Sequence, residues 1–250
     1  MALAAHHFPA ADSALAPVLL LHGFASSADE DFLTTGWVES LAAAGRPTIA
    51  IDLPGHGDSP AVASAGEATT SAVIAAILAA VEAVSPATPG DSDAVGAAPI
   101  DVIGYSLGAR LAWELPAASP RVRRLVLGGI SPAEPFAAID PADLAATLAG
   151  RAPAHPLTGM MARMIQAPGR DTASLARVIA GLAAEPFAPG AGGPAVPTLL
   201  VAGLEDALTT SVEELAAALP AVHLERVPGD HRAALDGPEF RAAAIGFLAD

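Results

Sequence analysis

Residues 100–111 read Ile100-Asp101-Val102-Ile103-Gly104-Tyr105-Ser106-Leu107-Gly108-Ala109-Arg110-Leu111. A short apolar run (100–103) has the length and continuity of a buried strand. From Ala109 to Leu115 the apolar residues take up helical spacing. The turn between them is Gly-x-Ser-x-Gly. A strand that turns sharply into a helix over such a stretch can present its central residue above the sheet edge, and the glycines on either side keep other side chains away. Ser106 is then held at the N-terminus of a helix, where the aligned backbone dipoles favour developing negative charge. The alternative is a glycine-rich turn whose serine only caps the helix.

Working outward, the same alternation continues. Strand-like runs occur at Val18–Leu21, Thr48–Ile51, 125–127, 198–201 and Val222–Val227, with helix-like segments at Trp37–Ala43, 69–84, 107–115, 212–219 and 238–248. Strands alternating with helices predict a mostly parallel, doubly wound α/β sheet. Two stretches break the rhythm. Residues 85–99 carry Ala, Gly, Pro and Asp without periodicity and read as a surface loop. Residues 131–194 hold no convincing strand and suggest short helices near 143–148, 159–165 and 172–182. The predicted organisation is a core of 1–130 and 195–250 with a helical cap of 131–194. At 250 residues, a single domain with an inserted cap is expected.

A serine hydroxyl is a weak nucleophile and needs a base. Of the seven histidines, His6 and His7 fall in a start expected to be a disordered tail. His22 and His56 lie in glycine loops, with His22 read as a loop anchor. His155 falls in the insertion and His223 at a strand start. His231 follows the last strand and precedes the last helix, which places it on the same carboxyl edge of the sheet as Ser106. An acid on that edge must orient the imidazole. Glu205 and Asp206 both follow the strand near 198–201, and spacing does not choose between them. Backbone donors for an oxyanion are expected from Leu107 and from Phe24, after Leu20-Leu21-His22-Gly23.

Together, His22-Gly23-Phe24, Asp52-Leu53-Pro54-Gly55-His56-Gly57-Asp58-Ser59, Gly104-Tyr105-Ser106-Leu107-Gly108, Gly203-x-x-Asp206 and His231 resemble the α/β-hydrolase superfamily over nearly the whole chain. The resemblance implies Asp206 as the acid, a structural role for residues 52–59, and ester or thioester hydrolysis through Ser106, Asp206 and His231. Tyr105, Arg110, Met161 and Met164 are candidate substrate contacts. Three departures from the family stand out: few residues before Val18, Arg232-Ala233 after His231, and a short cap without tryptophan.

The sequence is also similar to the menaquinone-pathway SHCHC synthase, a lyase on this fold that eliminates pyruvate and binds a polycarboxylate with arginines. Arg110, four residues after Ser106, occupies one such place. Its structural reading is a pair with Glu114 one turn on. Arg151, Arg163, Arg170 and Arg177 are candidates to complete an anion site. A third reading is a non-catalytic binding protein on a hydrolase scaffold.

Composition narrows the classes further. Hydrophobic residues make up 52% and aromatic residues 4%, so the core must be built from aliphatic side chains. All 12 basic residues are arginine, which excludes Schiff-base lysine chemistry. A net charge of −15 argues against nucleic-acid partners. Cysteine is absent, so thiolate chemistry is excluded. No metal cluster or cofactor motif is apparent, and the expected partner is a small-molecule substrate. Apolar runs are too short for a membrane span. Residues 1–8 lack the features of a signal peptide, so the expected location is cytoplasmic.

Overall fold

A computed structural model describes residues 1–10, 15–85 and 98–249. Most of the expected 85–99 loop therefore lies outside the described residues. In chain order the elements are β1 (Ala5–Phe8), β2 (Val18–Leu21), a single π-helical turn (Asp29–Leu33), α1 (Trp37–Ala43), β3 (Thr48–Ile51), α2 (Thr70–Val84), β4 (Ile100–Tyr105), α3 (Leu107–Ala118) and β5 (Val122–Gly128). Then follow α4 (Pro141–Leu148), α5 (Pro156–Ile165), α6 (Thr172–Ala184), β6 (Thr198–Gly203), α7 (Val212–Ala218), β7 (Val222–Val227), α8 (Ala233–Asp236) and α9 (Pro238–Ala249).

The sheet order is β1-β3-β2-β4-β5-β6-β7. Only β1 is antiparallel, pairing Ala5 with Ile51 and Phe8 with Thr48. This is the doubly wound α/β sheet that the alternation of runs predicts. Successive strand residues alternate between two faces. Leu19, Leu21, Ile49, Ile51, Val102 and Leu127 pack on one side with α2 and α3. Val18, Leu20, Ala50, Ile103 and Val126 pack on the other, where Trp37 of α1 and Phe240 of α9 meet edge to face.

The order of strands positions the site. The chain winds from β2 to β3 in one direction, then crosses back to place β4 on the other side of β2. Leu21 at the end of β2 is in register with Gly104 near the end of β4. The loops leaving these two neighbours diverge, and the gap between them is the crevice at which open α/β sheets hold ligands.

The start of the chain corrects one expectation. His6 and His7 belong to the edge strand β1 and not to a disordered tail. Leu3 is buried, the Asp52 N–H donates to the Ala4 carbonyl at 3.0 Å, and the Ala4 N–H donates to Ser59 Oγ at 2.9 Å. An edge strand half-open to water carries no apolar run, which is why its sequence gives no strand signal.

Residues 131–194 contain α4, α5 and α6 and no strand. Their starts follow from local chemistry. Asp140 and His155 accept the first free N–H groups of α4 and α5, with Pro141 and Pro156 at the first helical position, and Asp171 caps α6 through Ser174. No helix among the described residues is long and apolar enough to cross a membrane.

Candidate active site

Ser106 sits between β4 and α3 with φ 54° and ψ −113°, one of two described non-glycine residues at positive φ. Such a conformation costs about 1–2 kcal/mol and persists only where the surroundings enforce it. Here they do. The Ser106 N–H donates to the Gly128 carbonyl at 2.8 Å. A Cβ on Gly104 would lie 2.4 Å from the Gly108 carbonyl oxygen, and a Cβ on Gly108 would lie 1.9 Å from that of Leu21. Helix α3 therefore packs directly on β2 and β4, which forces the tight turn. The Ser106 side chain makes no capping hydrogen bond, so the capping alternative does not describe it. Replacing Gly108 by alanine is expected to destabilise the fold by about 3 kcal/mol, the upper range for an overpacked site. Urea unfolding measures this, and an unchanged midpoint would mean that α3 and β2 are not in the close contact described.

His231 follows β7. Its Nδ1 lies 2.7 Å from Asp206 Oδ2. A carboxylate only accepts, so Nδ1 carries a hydrogen, and in the neutral ring this leaves the lone pair on Nε2. Asp206 is buried at the end of the β6 loop, and its Oδ1 accepts the Leu208 N–H at 2.9 Å, which fixes the carboxylate plane. Glu205 points elsewhere, accepting the Gly229 N–H at 2.6 Å. Of the two acids that spacing left open, Asp206 is the one in contact with His231. The His231 carbonyl accepts the Tyr105 hydroxyl at 2.5 Å. Burial pushes the Tyr105 phenol well up, so it stays protonated and holds this bond. Tyr105 thus braces the histidine.

The loop after β2 is held on both sides of Phe24. The Gly23 N–H donates to Asp31 Oδ2 at 2.8 Å, and the Gly23 carbonyl is 2.7 Å from His22 Nδ1. His22 Nε2 accepts the Leu53 N–H at 2.9 Å. Ala25, at φ 54°, donates its N–H to His56 Nε2 at 3.0 Å. Burial pushes His22 down and His56 to about 3, so both rings are neutral and can accept these N–H groups. His22 is the loop anchor expected of it. A Cβ on Gly23 would lie 3.5 Å from that of Ser106, which places this loop beside the serine.

One cavity of about 740 Å³ is bordered by Ser106, His231, Phe24, Leu107 and Tyr105. Its far wall comes from the insertion: Phe136, Leu157, Met160, Met161, Met164 and Phe187. Ile165, the last residue of α5, is fully buried in the core instead. Arg110 also borders the cavity, but both terminal nitrogens of its guanidinium are engaged. It pairs with Glu134 at 2.9 Å and donates to the Leu182 and Glu185 carbonyls at the end of α6. Glu134 thus takes the place expected of Glu114. Arg151, Arg163, Arg170 and Arg177 do not border the cavity. Arg170 pairs with Glu30 at 2.5 Å, and Arg177 donates to the Val62 carbonyl.

The other histidines have local roles. His155 caps α5, and the His223 ring lies 6.1 Å from that of Phe247. His6 falls within 4.8 Å of Asp52 and Asp58, a grouping that the sequence reading missed by leaving His6 in a tail. The Asp52 carboxylate is already engaged by the Ala28 and Asp58 N–H groups and by His6. This is a hydrogen-bonded anchor joining β1 to the 52–59 loop.

Known structures share this architecture. A hydrolase from Pseudomonas aeruginosa PA01 is similar at TM-score 0.70 and 22% identity, covering 99% of this chain and 94% of that one. MenH from S. aureus gives TM-score 0.73 at 18% identity over 98% and 97%. A thermophilic esterase from Thermogutta terrifontis gives 0.72 at 22% over 99% and 93%. At these identities the likeness is one of fold. No curated protein matches the sequence significantly. The model of the alpha/beta hydrolase family matches residues 18–244, and the chain belongs to that family.

Proposed function

We propose that the protein is a serine hydrolase acting on a small, uncharged carboxylic ester or thioester through an acyl-enzyme on Ser106. The observation that carries this is the 2.7 Å hydrogen bond from His231 Nδ1 to Asp206, with Ser106 and His231 bordering one cavity. In the proposed reaction His231 Nε2 takes the Ser106 hydroxyl proton as Oγ attacks the acyl carbon. Asp206 holds the tautomer and stabilises the imidazolium. The N–H groups of Phe24 and Leu107 receive the oxyanion; Leu107, in the first turn of α3, has no intrahelical acceptor. Collapse of the tetrahedral adduct expels the alcohol or thiol, protonated by His231. Water, deprotonated by His231, then releases the acid. None of these steps calls for a cofactor.

A hydrolase is favoured over a pyruvate-eliminating lyase by the charges around the cavity. Arg110 and Arg232 are both paired with carboxylates, so neither offers an uncompensated positive charge to a polycarboxylate. The expected result is turnover of a short activated ester or acyl thioester, with no pyruvate released from the lyase substrate. Pyruvate release without ester turnover would reverse the choice, and no turnover of either would favour the non-catalytic scaffold.

We also propose that residues 131–194 act as a cap that sets acyl preference. Met161 and Met164 belong to a wall of flexible, polarisable side chains that adapts to varied acyl groups. Met161→Ala or Met164→Ala is expected to shift the ratio of kcat/KM between long and short esters by about 1–3 kcal/mol for each methionine truncated. Ile165→Ala, which removes a fully buried core side chain, should cost about 2–5 kcal/mol of stability instead. A flat ester profile across the methionine variants would move specificity to the loops after β2 and β5.

A further inference from the structure

Arg232 directly follows His231, at a place where the family resemblance leads one to expect an apolar residue. Its Nη1 donates to Asp31 Oδ1 at 2.6 Å, its Nη2 to the Glu30 carbonyl at 2.7 Å, and its Nε to Asp236 at 2.9 Å. Asp31 is buried in the π-helical turn. Its other oxygen takes the Gly23 N–H, and Oδ1 also accepts the Ser26 hydroxyl at 2.5 Å. Gly23 and Ser26 bracket Phe24 and the strained Ala25. One carboxylate thereby ties the loop after β2 to the loop after β7, although its partner lies 201 residues away in sequence.

We propose that the Asp31–Arg232 pair is a positioning clasp that sets the spacing between the oxyanion donor at Phe24 and the base His231. The role rests on the hydrolase reading above. It follows from what each half holds: Asp31 holds the Gly23 N–H, one residue before Phe24, and Arg232 is the residue directly after the base. Without Arg232, a buried carboxylate keeps its backbone and hydroxyl donors but loses its counter-charge. It must then turn toward water, and the Gly23 peptide follows. An oxyanion hole works only within narrow donor distances, and a displacement of about 1 Å costs on the order of 10²-fold in rate.

The test is steady-state kinetics on a short activated ester, per active site titrated with a fluorophosphonate, for Arg232→Met, Asp31→Asn, the double variant, Arg232→Lys and Asp236→Asn. The expected result is a kcat lower by about 10²-fold in each of the first two, with KM little changed. The double variant should fall no further than the worse single one, because the two residues act as a unit. Arg232→Lys should recover much of the loss, and Asp236→Asn, which breaks only an exposed pair, should match the parent. A trifluoromethyl ketone, which needs the oxyanion donors, should bind more weakly to Arg232→Met in proportion. Full kcat per titrated site in Arg232→Met, even with a lower Tm, would overturn the clasp, as would additive losses in the double variant. Should Ser106→Ala retain turnover in the same assay, the hydrolase reading itself fails. Loss of activity in Ser106→Ala alongside full activity in Arg232→Met condemns the clasp alone.

Discussion

Ser106→Ala is expected to lower ester turnover by on the order of 10⁴–10⁶ while leaving the fold intact. The size follows from losing the nucleophile, which leaves only what binding and the oxyanion donors supply. The intact fold follows from the local structure. The Ser106 side chain caps nothing, so its removal leaves no helix N–H newly unpaired. Its positive φ strains any residue with a Cβ, and alanine bears the same strain as serine. Ser106→Gly relieves that strain and is expected to be more stable than either, by about 1 kcal/mol, though equally inactive. Thermal unfolding beside the kinetics separates these outcomes. A Ser106→Ala protein that keeps near-parental turnover would remove the serine from the chemistry.

The second large effect is expected at Asp206. Asp206→Asn should reduce turnover by about 10⁴, as a wrong histidine tautomer does, and the structure supplies the reason. Asp206 Oδ1 is bound by the Leu208 N–H and Oδ2 by His231. An asparagine that keeps its carbonyl oxygen on Leu208 must turn its NH2 toward His231 Nδ1. Nδ1 then has to accept, the proton moves to Nε2, and the ring can no longer take a proton from Ser106. Glu205→Gln keeps an acceptor for the Gly229 N–H and leaves His231 alone, so little loss is expected. Reversed results for these two variants would contradict the assignment of the acid.

Much of this was legible in the sequence because it depends on local pattern. The buried strands β2 to β6 are largely apolar, and the turn around Ser106 declares itself through Gly104 and Gly108, each crowded against backbone. The strand-ending loops place His231 and the two adjacent acids on one edge, and only geometry shows Asp206 in contact with the histidine. What was not legible depends on contacts between distant segments. Strand β1 is held by pairing with β3 and by Asp52, neither of which leaves a periodic trace in residues 5–8. Helical spacing pairs Arg110 with its neighbour Glu114, whereas Glu134, beyond β5, reaches it in space. The Asp31–Arg232 contact joins segments near opposite ends of the chain, and sequence spacing carries no signal of it.

The most direct test of the central assignment is covalent labelling. The protein is treated with a fluorophosphonate probe, digested, and the modified residue located by mass spectrometry. The account predicts stoichiometric modification at Ser106, loss of ester turnover in step with labelling, and strongly slowed labelling in Asp206→Asn. Modification at any other residue, or full labelling of Ser106 with turnover unaffected, would contradict it.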